Sequence, residues 1–289
     1  MKTDISYLPE HKQKELDNIV KLICQRDHPE MIILFGSYAR GTWVEDKFDE
    51  IDGQIRYRYQ SDFDILVIVE TNSEFAQTKI ERDLEDSFEK TALITTPVSV
   101  IVHDIEFVNK RLKKAQYFFT DIKKEGIMLY NSKNFQLTEA KEIPASDRKR
   151  LAEDDFDYYF EKATEFYENH EFSLSRGKLN TSAFLLHQVV ERLYAAILLV
   201  FTRYKPATHD IAMLRKLVNT LDDRFVEVFP MHTLDDKHLF NLLKKAYVDA
   251  RYKRSYTITH DQLKTLANYV TNLRKVAEVA CREKMDSFL

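Results

Sequence analysis

MIILFGSYARG (residues 31–41) and SDFDILVIVE (residues 61–70) decide how the first half of this chain is read. Met31 to Phe35 is a short apolar run ended by Gly36, the pattern of a buried strand running into a turn. Ser37 to Arg40 then opens a short helix. Asp64 to Glu70 is a second apolar run, a strand covered on both faces. Asp62 and Asp64, two apart on an extended chain, point to the same face about 6–7 Å from each other. Two carboxylates at the start of so apolar a strand are costly unless a cation joins them. Magnesium suits them, because it takes oxygen ligands and shares its shell with substrate phosphates. Two such ions about 3.5–4 Å apart would stabilise both the attacking and the leaving oxygen of an in-line displacement. Gly36-Ser37 supplies the complementary half. Glycine lets the backbone approach a phosphate closely, and a helix start presents free N–H groups. The Ser37 hydroxyl adds a hydrogen bond, and Arg40 can meet a phosphate oxygen.

Outward from these stretches, the first 140 residues alternate helix and strand signals. Lys12 to Arg26 carries Leu16, Ile19, Val20 and Ile23 at helical spacing, and Glu74 to Lys90 is a charged amphipathic helix. PVSVIV (97–102) is a third strand, Phe107 to Lys124 a helix, and Ile127 to Tyr130 a short closing strand. In Trp43 to Ser61, Asp52-Gly53 separates two alternating runs, which predicts an inserted β-hairpin. The fold expected is α/β, a mixed sheet with flanking helices over residues 1–140. Within Lys110 to Lys124, basic residues alternate with Tyr117, Phe118 and Phe119. The reading preferred there is a solvated basic face over a buried aromatic one.

A strand-GS-helix turn is commonly just a turn, and a DxD pair is often only a solvated strand end. In the order FGSYARG, insert, SDFDILV, they resemble the minimal nucleotidyltransferase domain of the polymerase β-like superfamily, over roughly residues 10–130. The resemblance implies transfer of a nucleoside monophosphate, AMP foremost, from an NTP such as ATP to a hydroxyl acceptor, with pyrophosphate released. It implies Gly36 and Ser37 on the triphosphate, with Arg40 beside them. Asp62 and Asp64 become the catalytic, Mg2+-holding carboxylates. Two departures stand out. The Ser37–Asp62 interval is long, which the hairpin explains. A third carboxylate on a later strand has no clear counterpart: Ser99 and His103 hold the matching face of PVSVIVHD, and Asp104 has the opposite parity. His103 can titrate near neutral pH as a base, but a histidine at the surface end of a strand is the preferred reading.

After LTEAKEIPASD (137–147) strand signals cease. Residues 151–170, 181–202, 209–221, 235–247 and 261–284 read as helices, predicting an antiparallel bundle over 146–289. AFLLHQVVERLYAAILLVF, YKPATHDIAMLRKL and AYVDARYKRSYTI resemble a HEPN domain, a small helical bundle often fused to a minimal nucleotidyltransferase. Many HEPN domains are ribonucleases that use an arginine and a histidine four to six residues apart. Arg254 and His260 fit that spacing formally, and Arg251-Tyr252 matches a pair common in nucleotidyltransferase-linked members. His187 is expected in the core and His209 in a capping turn. HEPN relatives often dimerise, and the 181–202 helix serves either a core or such an interface.

Composition narrows the partners. A net charge of −4 over 289 residues makes no case for a dedicated nucleic-acid binder, so nucleic acid is not favoured. Five glycines and six prolines speak against disorder. Cys24 and Cys281 make no zinc pattern and read as thiols in a reducing compartment. The longest apolar stretch, 193–201, falls short of the roughly 20 residues that span a bilayer, so a cytoplasmic protein is expected. Three outcomes stay open: a transferase acting on a protein or small-molecule hydroxyl, a nucleotide-binding regulatory module with little turnover, and a HEPN ribonuclease controlled by its fused partner, as in toxin-antitoxin pairs.

Overall fold

The computed structural model describes residues 1–44, 47–51, 54–59, 61–141, 143–206 and 208–288, with the backbone alone for 47–51 and 54–59. The chain forms two compact units, Met1–Glu142 and Ile143–Leu289.

The first unit is built on a four-stranded mixed sheet in the order β5-β4-β1-β6. Its strands are β1 (Met31–Phe35), β4 (Phe63–Val69), β5 (Val98–Asp104) and β6 (Ile127–Asn131). β1 runs antiparallel to both neighbours, while β4 and β5 are parallel and need the crossover helix α3 (Glu74–Lys90) between them. Every residue of β4 is buried, as expected of a central strand covered on both faces. Ile32, Leu34, Ile65, Val67, Val100 and Val102 face α1 (Glu10–Arg26) and α3, packing with Leu16, Ile19, Ile23, Leu84 and Phe88. Each such side chain contributes about 1.5–3 kcal/mol relative to exposure.

The predicted helix over 107–124 is instead two helices, α4 (Ile105–Lys113) and α5 (Tyr117–Glu125). Ala115 adopts φ 52°, and Gln116 N–H donates back to the Arg111 carbonyl, which closes α4 and turns the chain. Lys110, Lys113, Lys114 and Lys124 are exposed while Tyr117 and Phe119 are buried, so the basic face is solvated.

The insert contains the antiparallel strands β2 (Lys47–Ile51) and β3 (Gln54–Tyr59), with Ile51 paired to Gln54. The predicted turn residues Asp52 and Gly53 lie outside the described residues. The one-turn helix α2 (Gly36–Arg40) precedes the insert.

The second unit is helical: α6 (Ala145–Ser175), α7 (Leu179–Thr202), α8 (Ile211–Asn219), α9 (Leu234–Lys245), the short α10 (Asp249–Tyr252) and α11 (His260–Asp286). Thr233 and Thr259 open α9 and α11 with capping boxes. By length and composition α7 is apolar enough to cross a bilayer, unlike the shorter stretch 193–201 considered from sequence; 72% of its most apolar window is buried inside the protein. It is the core helix of this unit.

Candidate functional site

The turn from β1 into α2 and the start of β4 meet at one end of the sheet, where Phe35 pairs with Asp64. Gly36 has φ +72°, and a Cβ placed there would lie 1.9 Å from Asp64 Oδ2 and 2.8 Å from its Cγ. The Asp64 carboxylate therefore rests directly over the glycine backbone, and no side chain fits between them. Ser37 is half-buried beside it, and Arg40 is exposed.

Asp64 is only 3% exposed. Burial raises its carboxyl well above the ordinary carboxylate range; neighbouring Asp62 pushes the same way, and Arg40 pulls back. Among the described residues no hydrogen-bond donor or ion-pair partner meets the Asp64 carboxylate. A buried carboxylate in that state is stabilised by a cation brought to it, and the donors facing that point are oxygens, the set that Mg2+ prefers. Asp62 and Asp64 thus fit a divalent ion as ligands.

The rest of the neighbourhood holds this end rigid. Tyr38 is fully buried, stacks on Trp43 with ring centroids 5.5 Å apart, and packs on Phe63 at 4.4 Å. Val44 and Ser61 close the base of the insert: Ser61 N–H donates to the Val44 carbonyl at 2.9 Å, and the Ser61 hydroxyl accepts from Val44 N–H at 3.0 Å. The insert therefore begins and ends at this pair, immediately before Asp62. Behind Phe63, buried Lys12 donates to Thr96 Oγ1 at 2.6 Å, and the Thr96 hydroxyl donates to Glu15 at 2.5 Å. Sequence patterning alone did not pick out this linkage between α1 and the loop before β5.

The third position resolves through the β4–β5 register. Asp64 pairs with Ser99, Ile68 with His103 and Val69 with Asp104. Ser99 Oγ donates to Asp62 Oδ2 at 2.5 Å, so Ser99 joins the pair. His103 does not, being four residues farther along the strand, about 13 Å. It is also not the surface histidine expected at a strand end. Its ring stacks on Phe107 at 4.6 Å and meets Phe119 edge-on at 5.6 Å. Burial lowers its pKa to about 4, with Arg111 adding to the effect, so it is neutral at physiological pH. Asp104 is the N-cap of α4, accepting from Glu106 and Phe107 N–H, and it also accepts from Thr71 N–H.

The polymerase beta nucleotidyltransferase family model matches residues 17–135, and the HEPN domain model matches residues 156–280. The chain is a nucleotidyltransferase domain joined to a HEPN domain. A crystal structure of a nucleotidyltransferase-like protein from Exiguobacterium sibiricum 255-15 aligns over 94% of this chain and 77% of its own, at 12% identity and a TM-score of 0.31. No curated protein matches the chain. The Gly36–Asp62–Ser99 cluster lies within the matched nucleotidyltransferase segment, and such a domain supports nucleotidyl transfer from an NTP.

In the HEPN domain, Arg251 lies over the rings of Phe184 and Tyr247 at 4.7 and 4.6 Å, and Tyr252 is 73% exposed. Arg254 and His260 are both exposed, on either side of a segment anchored by buried Tyr256 and Ile258. Among the described residues no hydrogen bond or ion pair joins them. His187 is a core residue whose Nδ1 meets the Leu243 carbonyl at 3.1 Å. His209 lies in the capping turn expected of it, directly before the N-cap of α8, and its ring places Nδ1 3.0 Å from Oε2 of buried Glu191 and stacks on Tyr247. Asp210 is the cap of α8, accepting from Ala212 and Met213 N–H.

Proposed function

We propose that the nucleotidyltransferase domain binds an NTP, ATP foremost, together with Mg2+ and transfers its nucleoside monophosphate to a hydroxyl acceptor on a protein or small molecule. The observation that carries this reading is the buried Asp64 carboxylate, seated on the Gly36 backbone, beside Asp62 and, among the described residues, without a hydrogen-bond or ion-pair partner. Gly36 gives the triphosphate an approach free of side-chain atoms, Ser37 offers a hydroxyl, and Arg40 brings positive charge to the outer phosphates. Asp62 and Asp64 hold the divalent ion, which when bound neutralises charge on the transferring phosphoryl group and the leaving pyrophosphate. The fully buried Tyr38 and Phe63 fix these groups from behind, so little reorganisation is needed when nucleotide arrives.

The test is incubation of the full chain with α-labelled NTPs, Mg2+ and candidate protein and small-molecule acceptors. Label should move to an acceptor, ATP should be preferred, and Asp62→Asn/Asp64→Asn should abolish transfer. A double variant as active as the wild type would overturn the reading. One observation favours a second reading, a regulatory module that binds nucleotide with little turnover: a serine, and not a carboxylate, stands at the third position. Calorimetry that finds tight Mg2+-dependent ATP binding without pyrophosphate release would select it. Arg254 and His260 are both exposed and, among the described residues, no hydrogen bond or ion pair joins them, so the ribonuclease alternative has no comparable support.

A further inference from the structure

Ser99 stands in register with Asp64 on the adjacent parallel strand, so the two side chains rise from the same face of the sheet. It is 9% exposed, and its hydroxyl donates to Asp62 Oδ2 at 2.5 Å. A carboxylate has two oxygens to offer. The Ser99 hydrogen bond to Oδ2 fixes the orientation of the Asp62 carboxylate and leaves Oδ1 free of Ser99. The other polar residues of β5 lie at its far end and are committed there: Asp104 caps α4, and His103 packs against Phe107 and Phe119. Among the described residues no cluster of three or more histidines, cysteines or acidic residues exists that could hold a metal ion, so this end of the sheet offers two carboxylates and no third.

We propose that Ser99 is a positioning residue that orients Asp62 for one divalent ion, arriving with the nucleotide phosphates, and that its presence in place of a carboxylate limits the site to that single ion. This rests on the nucleotide-site reading above. Among the described residues, a second ion would have to be held by Asp62 and Asp64 alone, with no carboxylate of its own. Nucleotide phosphates complete the shell of the first ion and leave the second without a protein ligand of its own. The acceptor hydroxyl then receives no metal-bound activation, so the domain suits an acceptor that ionises readily or reacts slowly.

Mn2+ titration of the full chain, followed by electron paramagnetic resonance with a non-hydrolysable ATP analogue present, tests this directly. The wild type should bind one Mn2+ per chain, dependent on nucleotide. Ser99→Ala should keep that stoichiometry and weaken Mn2+ affinity by about tenfold, the usual loss when a ligand's own hydrogen-bond partner is removed. Ser99→Asp should raise the stoichiometry to two. Two ions in the wild type, unchanged affinity in Ser99→Ala, or a single ion in a folded Ser99→Asp would each overturn the proposal, while Asp62→Asn/Asp64→Asn still loses binding. Binding in that double variant equal to wild type would instead overturn the nucleotide-site reading, and the proposal with it. Ser99→Ala removes only a hydroxyl, so it keeps the test available should Ser99→Asp fail to fold.

Discussion

Gly36→Ala should damage this protein far more than Gly41→Ala, although the two glycines have nearly the same backbone conformation. Gly36 sits at φ +72° and Gly41 at φ +77°, so an alanine at either position pays about 1–2 kcal/mol for the left-handed region. The surroundings then separate them. A Cβ at Gly41 meets only Tyr7 Cε2, at 4.0 Å, ordinary contact. At Gly36 it would lie 1.9 Å from Asp64 Oδ2 and 2.8 Å from Asp64 Cγ, and Asp64 is too buried to swing aside without disturbing Phe63 and Leu66. Forced overpacking of that kind adds about 1–3 kcal/mol. The expected loss is about 2–5 kcal/mol for Gly36→Ala against about 1–2 kcal/mol for Gly41→Ala. The chain has one tryptophan, Trp43, stacked on buried Tyr38, so its emission follows unfolding of this domain alone. Urea titrations read at Trp43 give both midpoints, and nucleotide titration of the folded fraction gives affinity. Gly36→Ala should also bind Mg2+–ATP at least tenfold more weakly, because Asp64 is displaced. Equal destabilisation by the two substitutions, or unchanged nucleotide affinity in Gly36→Ala, would refute the close-approach argument.

Asp64 titrates above its unfolded value, so the folded domain holds a proton that the unfolded chain releases; stability is fully present at acid pH and falls as pH rises through the folded pKa. Without metal, Asp64→Asn should therefore raise the urea midpoint at pH 8 and leave it unchanged near pH 4, and Mg2+–ATP should stabilise only the wild type. Glu81 follows the same sign: burial raises it from 4.5 to about 7 while it accepts a hydrogen bond from Val102 N–H. Glu81→Gln keeps that acceptor and removes this proton linkage, so between pH 5 and 8 the wild type should lose about 2–3 kcal/mol more stability than Glu81→Gln. In the HEPN domain, Leu193→Ala at the centre of α7, where the leucine is fully buried, should cost about 2–5 kcal/mol, read by far-ultraviolet circular dichroism during thermal melting.

The strands and most helices were legible because their cause is local. The run 63–69 has no polar residue besides Asp64, and only a strand buried on both faces places such a segment. Asp64's burial was likewise implied by its neighbours in sequence. The break in the predicted 107–124 helix was not, because Ala115 carries no mark of a left-handed residue; the turn is set by Leu112 and Tyr117, both buried on either side of it. His103 misled for a related reason. Its position at a strand end suggests exposure, but the rings that enclose it come from Phe107 and Phe119 on two later helices. Glu191 and His209 are separated by α7's last turns and a loop, so their pairing is a tertiary fact as well.

The same distinction bears on what the missing carboxylate means. From sequence, Ser99, His103 and Asp104 were three candidates spread over six residues, and parity could remove only Asp104. Strand pairing decides among them, because in a parallel ladder the partner of Asp64 is fixed by the whole set of hydrogen bonds from Phe63–Val98 to Val69–Asp104. A slip by one residue would send Ser99 into the core beside Leu84 and turn Val98 and Val100 toward the helices on the other face. The apolar alternation of β5 therefore enforces the serine at the third position. Restoring a carboxylate needs one substitution at Ser99 and no change of register, which is why Ser99→Asp separates a site that has lost a ligand from a domain built for another purpose.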